Sequence, residues 1–386
     1  MQKFQELYIE FLDQSNIMEL FSKVKSTKEL EAIVYEKLNG YFDNKNALNN
    51  NLLTCLLSES IGLEYLDKVE GKREFFEQLL LLYKKSKLSN NNKCMEIMVY
   101  WNYYGERANS DVWNVFNIFK SIDKSMELNE LVYAYFNIIG VIVEGVIKYY
   151  LMILYCQLQN ISGKLVDYQS VKMTELGRLL SLSNKILKTF KITLPKPKGI
   201  SLNQWRNISY HHSYRLEEDK IVCEVMNGKT FRFSIEELEL IVQQIFETGR
   251  ALKAANTIFY IDNSFELSKI KKRRYIRKEV ELFDLISIIL SQGYEILNTE
   301  TSNEKTIISI KEIFQQEYIF QYIFFFIQMW HVFNSKIYEI NYYSFKGDLF
   351  AKFSVTQESL KAIDEQDNDI ESHINSVKIE YLRKNE

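Results

Sequence analysis

Proline occurs only twice in this chain of 386 residues, at Pro195 and Pro197, and glycine only 13 times. Both residues interrupt helices, and a many-stranded sheet needs them at its turns, so their scarcity favours long uninterrupted helices. The expected fold class is mostly α. A hydrophobic content of 46%, with 14% aromatic, is enough to bury a large core divided among more than one domain, and it excludes a disordered chain.

Local patterns divide the chain further. Phe4, Leu7, Tyr8, Phe11 and Leu12 recur on one helix face. Ser26 and Glu29 have capping-box spacing ahead of another helix, which Asn39-Gly40 ends. The Asn-rich pieces 44–51 and 89–93 read as loops. Residues 1–118 therefore form a helical N-terminal domain, with no internal repeat. From about 126 to 159 runs a helix that is apolar nearly all round and belongs in the middle of a bundle. A second helix is expected over 171–190, followed by the stiff connector around Pro195 and Pro197. KIVCEV and KTFRF flank Met226, Asn227 and Gly228, which predicts a two-stranded hairpin, and Ser234 with Glu237 caps the next helix. These elements define a central helical bundle at 119–260 with a small β-hairpin insertion. Residues 261–386 are expected to form an α+β C-terminal domain, with a second hairpin around Lys346-Gly347.

Charge and cysteine usage narrow the setting. Lys and Arg total 48 against 51 Asp and Glu, so any contact with a polyanion must come from local clusters. Cys55, Cys94, Cys156 and Cys223 are scattered without a CxxC pair, which argues against a zinc site or a disulfide framework and fits a reducing cytoplasm. The first residues lack the features of an export signal. Of two apolar segments, 137–159 is interrupted by Glu144 and Lys148 and 319–333 is short, so both read as buried helices and no membrane association is expected.

The chain has four histidines, and two are adjacent in QWRNISYHHSY, residues 204–214. An arginine-to-histidine spacing of five arises readily by chance, and a lone helical histidine is most often an ordinary surface or half-buried residue. The setting adds weight: a scarce titratable group follows a fixed cation at the start of a short helix, just after a break. If the segment is helical through His212, Asn207 and His211 share a face and Arg206 reaches the same spot. Such a set suits phosphodiester cleavage through a neighbouring hydroxyl, with histidine moving the proton and arginine holding charge on phosphorus oxygens. No metal or other cofactor is required. The substrate is then RNA, since only RNA carries the 2'-OH.

RNISYH, Arg206 to His211, resembles the motif of the HEPN superfamily: arginine, a polar residue, three more residues, then histidine. The order of long helix, break, motif, insertion and last helix is similar too, over about a third of the chain. The resemblance implies a HEPN-like up-and-down bundle at 119–260 and a metal-independent endoribonuclease of the toxin-antitoxin or phage-defence kind. It would act as a homodimer with a composite active site, and an antitoxin or other regulatory partner is implied. Carried over, Arg206 binds phosphate, Asn207 orients the site and His211 is the general acid/base; His212 fits a looser version of the motif, so the choice between the histidines stays open. Glu144 is similar to acidic residues placed near the motif in some members, and it fits equally a structural ion pair with Lys148 or Arg206.

Two further features bear on RNA. KIKKRRYIRK, 269–278, holds seven basic residues in ten, among them Lys271, Lys272, Arg273 and Arg274; it fits a phosphate-tracking patch or a solvated face. The many Phe and Tyr residues fall mostly at helical spacing and read as core. His331 is expected to be packed and His373 exposed. No phosphate-binding, dinucleotide, nucleophile-elbow or zinc-protease motif is present. The rival expectation is a non-catalytic HEPN-like scaffold that binds a partner and does no chemistry.

Overall fold

The computed structural model describes residues 23–53, 56–123, 125–225, 228–270, 278–314, 322–365 and 376–382. The chain is mostly helical with two small sheets. The helices are α1 (Thr27–Leu38), α2 (Lys45–Asn51), α3 (Leu56–Asp67), α4 (Lys72–Ser89), α5 (Asn91–Ser121) and α6 (Leu128–Ile161). Then come α7 (Tyr168–Met173), α8 (Leu176–Leu187), α9 (Leu202–Tyr210), α10 (Ile235–Asp262) and α11 (Ser264–Ser268). The last three are α12 (Lys278–Ser291), α13 (Tyr322–Val332) and α14 (Gln357–Glu365).

The chain forms two compact units, and their division is not the one expected at 118 and 260. Residues 41–47 and 62–276 form one unit; residues 1–40, 48–61 and 277–386 form the other. The physical reason is packing continuity. α5 is a single helix across residue 118, and its inner face lies on α6. α4 buries Phe75, Phe76, Leu79 and Tyr83 and packs on α6 and α10, with Tyr83 stacked on Phe259 at 5.4 Å. Cutting at 118 would strip α6 of two of its neighbours.

α6 has the central position its sequence predicts, with α4, α5, α8, α9 and α10 packed around it. Among the described residues it is the one helix long and apolar enough to cross a membrane, at 34 residues; 67% of its most apolar window is buried within the protein. A π-helical turn at Ile142–Ile147 interrupts its α-helical ladder, and Glu144 sits in that turn. Such one-turn bulges recur at functional sites.

Several local expectations are corrected. Residues 45–51 are a helix rather than a loop, and the 89–93 loop shrinks to Asn90, whose side chain caps α5 by accepting from Lys93 N. The helix expected over 171–190 is two, α7 and α8, with a 3-10 turn at Lys188–Phe190. The two-stranded hairpin is a three-stranded antiparallel sheet of β1 (Tyr214–Glu217), β2 (Lys220–Val225) and β3 (Lys229–Phe233). The β2–β3 turn residues Met226 and Asn227 lie outside the described residues, as do the apolar positions of 4–12 and His373. Both capping residues, Ser26 and Ser234, accept from the backbone N–H three residues on.

The second unit carries a sheet of β4 (Tyr294–Thr301), β5 (Lys305–Glu312), β6 (Ile337–Tyr343), β7 (Leu349–Thr356) and β8 (Lys378–Tyr381), in that order. The hairpin around Lys346-Gly347 is β6–β7. Neighbouring strands are antiparallel except β5 and β6, whose parallel pairing needs the crossover that contains α13. Strict alternation along β5 buries Thr306, Ile308, Ile310 and Glu312 on one face, and α12, α13 and α14 each pack against the sheet. His331 is exposed rather than packed, its ring 5.0 Å from that of Trp330.

Candidate functional site

α9 carries the arginine, the asparagine and, at its end, the histidines. Its start is fixed by a reciprocal capping box between Ser201 and Gln204. Trp205, fully buried, donates from its indole Nε1 to the carbonyl of Pro197 at 3.2 Å, tying the helix to the proline-containing connector. Leu202, Trp205, Ile208 and Ser209 are buried. Arg206, Asn207, Tyr210 and His211 therefore form the stripe on the opposite side, at the spacing of one helix face.

α9 lies on α6 at a point of close approach. Ser209 Oγ donates to the carbonyl of Phe136 at 2.6 Å, and a Cβ on Gly140 would sit 2.4 Å from that hydroxyl. Only glycine leaves room there.

The helix ends one residue before His211, which differs from the expectation that it continues through His212. His212 has φ 48. Its N–H donates to the carbonyl of Ser209 at 3.4 Å, and Ser213 N–H donates to that of Ile208 at 3.1 Å. This pair of bonds, with a left-handed residue between, is a Schellman cap, a position where glycine is usual and histidine rare. The cap sends the two rings apart. His211, still bonded through its N–H to the carbonyl of Asn207 at 2.9 Å, lines a cleft of about 270 Å³ together with Asn207, Gln204, Ser213 and Glu224. His212 lies parallel to Tyr133 of α6, ring centroids 6.1 Å apart, and close to Tyr214. Both histidines are exposed.

Arg206 is not part of the cleft's lining, although Asn207, which it contacts, is. Its Nε donates to Glu144 Oε2 at 3.2 Å, Nη1 donates to Asn207 Oδ1 at 3.1 Å, and the guanidinium lies 5.1 Å from the centre of the Tyr210 ring. Glu144 also accepts from Lys148 Nζ one turn along α6. Asp111 of α5 packs against Gly145, adding a second carboxylate nearby. Burial and the Glu144 and Asp111 carboxylates push the Tyr210 phenol up, against the pull of Arg206, so it stays neutral. Within one chain, then, Arg206 and His211 share a stripe but not a cleft, and the cleft beside His211 holds Glu224, which is ion-paired to Arg215.

Of the other sequence-derived candidates, Glu144 sits in the structural ion pairs with both Arg206 and Lys148. Lys271, Lys272, Arg273 and Arg274 lie outside the described residues. Among the described residues no three His, Cys, Asp or Glu side chains converge as metal ligands do. Neither a scan of family models, nor a search of the curated proteins, nor one of the solved structures found a match to this chain.

Tyr210 and Tyr133 escaped sequence reasoning. The usable signal was spacing: Arg206 and Tyr210 are four apart, and Tyr133, Gly140 and Glu144 recur along one side of α6.

Proposed function

We propose that this protein is a metal-independent endoribonuclease of HEPN type. The observation that carries the reading is the solvent-facing stripe of Arg206, Asn207 and His211 on a helix whose other side is wholly buried. The order of α6, α8, connector, α9, small sheet and α10 supports a HEPN-like bundle within the unit of residues 41–47 and 62–276. In the proposed reaction the His211 imidazole takes the proton of a 2'-OH, and that oxygen attacks the adjacent phosphorus. The P–O5' bond breaks and the leaving oxygen regains a proton, giving a 2',3'-cyclic phosphate and a 5'-OH. Arg206 holds the charge that develops on the phosphorus oxygens. His212 remains the alternative acid/base.

Because Arg206 does not line the His211 cleft and is engaged by Glu144 and Tyr210, a second α9 stripe facing the first would complete a site, which is the case for a homodimer with a composite site. The basic run with Lys271, Lys272, Arg273 and Arg274 would add phosphate contacts. Cys94, Cys156 and Cys223 are buried, unbridged and pushed up to about 12 by that burial, which suits a cytoplasmic protein in a defence or toxin setting, held in check by a regulatory partner.

A second reading has a specific observation in its favour. The Arg206 guanidinium already engages Glu144, Asn207 and Tyr210, as it would in a non-catalytic binding module.

Incubation of the purified chain with total RNA in EDTA separates the two, alongside Arg206→Ala, His211→Ala and His212→Ala. The nuclease reading expects fragments with cyclic-phosphate ends, lost in Arg206→Ala and in one histidine variant. Cleavage that persists in Arg206→Ala would place the chemistry elsewhere, and intact RNA at every concentration favours the binding module.

A further inference from the structure

α6 presents a second set of groups beside α9 that the reaction above leaves unused. Tyr133 is 56% exposed and Tyr210 is 48% exposed, unusual for rings this large in the helical unit. Both border the candidate site: Tyr133 lies parallel to His212, and Tyr210 carries the Arg206 guanidinium over its ring. Tyr133 also forms one wall of a groove of about 440 Å³ between α5 and α6, with Ile118, Met126 and Ala134 on its apolar side. Asn129 and Asn137 open into the same groove, one helical turn to either side of Tyr133, and neither amide has a partner among the described residues. An aromatic face, an apolar floor and uncommitted amides that both donate and accept are what a nucleobase requires.

The exposed ring faces fix the kind of nucleic acid. A Cβ on Gly140 would lie 3.5 Å from the Tyr210 ring, so Tyr210 crosses α6 seven residues beyond Tyr133, roughly 10 Å along the axis. Stacked neighbours in a duplex stand only about 3.4 Å apart along the strand. About 10 Å spans roughly three such steps, so the single-strand requirement comes from the faces: a duplex base is covered on both sides by its neighbours, and a base that rests on a tyrosine ring must be splayed out of the stack.

We propose that Tyr133 and Tyr210 are stacking platforms for two splayed nucleotides of a single-stranded RNA, the base on Tyr133 seated in the α5–α6 groove and hydrogen-bonded by Asn137. This rests on the reading that the chain acts on RNA, and it adds where the strand runs and why a single strand is required. The Tyr210 ring and the Arg206 guanidinium form the other platform, since a guanidinium plane stacks on a base as an aromatic ring does.

The test uses the full chain and short fluorescent RNAs of each base with 2'-O-methyl riboses, which remove the internal nucleophile and leave binding alone to be read by anisotropy. Tyr133→Ala is expected to weaken binding roughly tenfold or more, and Tyr133→Phe to keep most of it. Asn137→Asp is expected to change which homopolymer binds best. The same sequence annealed into a duplex is expected to compete poorly. Met173→Ala, an exposed apolar residue on α7, is the control for general surface effects. Equal affinity of wild type and Tyr133→Ala overturns the proposal, and so does a wild-type chain that binds no single strand, or binds duplex as well. Cleavage is read separately on unmodified RNA. Tyr133-dependent binding without cleavage would sink the nuclease reading and leave this one standing; cleavage with binding indifferent to Tyr133 would do the reverse.

Discussion

Arg206 and Glu144 are joined by a 3.2 Å hydrogen-bonded ion pair between α9 and the π-helical turn of α6, with both side chains about a third exposed. Pairs this accessible contribute about 0–1 kcal/mol to stability. Their larger effect is on what Arg206 is free to bind, because Glu144 holds both Arg206 and Lys148. Glu144→Gln is therefore expected to leave the unfolding free energy within about 1 kcal/mol of wild type. It should tighten RNA binding and steepen the dependence of log affinity on log salt by about one or two phosphate contacts. Anisotropy titrations at several salt concentrations check both; an unchanged slope would mean that the carboxylate does not restrain either cation.

The contact between α9 and α6 depends on Gly140. Adding a methyl group there puts carbon 2.4 Å from Ser209 Oγ, which cannot turn away without giving up its bond to Phe136. Gly140→Ala should destabilise the protein by about 1–3 kcal/mol despite the better helix propensity of alanine. Gly105, within α5, has open space where its Cβ would be, so Gly105→Ala should stabilise by about 0.5–1 kcal/mol. Denaturant unfolding of the two variants gives shifts of opposite sign if the close approach is real. Ser209→Ala in the Gly140→Ala background should recover part of the loss.

How much of this was legible beforehand depends on the range of the interaction. The burial of α6 could be read from its sequence, because an apolar surface all round a helix has few destinations. Capping at Ser26 and Ser234 could be read too, since the partners are three residues apart. The unit division could not: it depends on α4 meeting α10 through Tyr83 and Phe259, 176 residues apart. β1 escaped notice because YRLE is short and its two-residue turn is Glu218-Asp219, with Glu218 in a left-handed conformation that glycine or asparagine would have advertised. In the candidate site, the stripe of Arg206, Asn207 and His211 followed from helical spacing, whereas the divergence of His211 and His212 is set by a cap that histidine seldom occupies.

That cap is itself testable. A residue with a side chain at a left-handed position costs about 1–2 kcal/mol relative to its ordinary conformations, a strain that glycine does not carry. His212→Gly should therefore be more stable than His212→Ala by about 1 kcal/mol, with wild type near or below the glycine variant. Thermal or urea unfolding of the three proteins measures it. Equal stability of the glycine and alanine variants would show that the left-handed turn is not populated in solution. If His212→Gly also cleaves RNA at the wild-type rate, the acid/base assignment falls to His211.

Lys72 makes the strongest pH-dependent claim. Its side chain is buried on α4 at 5% exposure and its ammonium donates to the Thr248 hydroxyl at 2.6 Å. Burial pushes its pKa down to about 8, with Glu247 pulling it back up. Between about 8 and the unfolded value near 10.4, the unfolded chain holds a proton that the folded chain has released. Stability from this group therefore rises with pH across that window; below it the charged form is buried at full cost, on the order of 3 kcal/mol. Lys72→Met removes the cost and loses one hydrogen bond of about 1 kcal/mol. Thr248 keeps its bond to the carbonyl of Gln244, and Glu247 keeps its pair with Arg250 at 2.8 Å. The variant should be more stable than wild type by about 1–2 kcal/mol at pH 7, with the gap closing as pH rises from 8 to 10. Urea unfolding of both proteins across that range decides it: a variant less stable at pH 7, or a gap that does not move with pH, would mean that Lys72 is not carrying a buried charge.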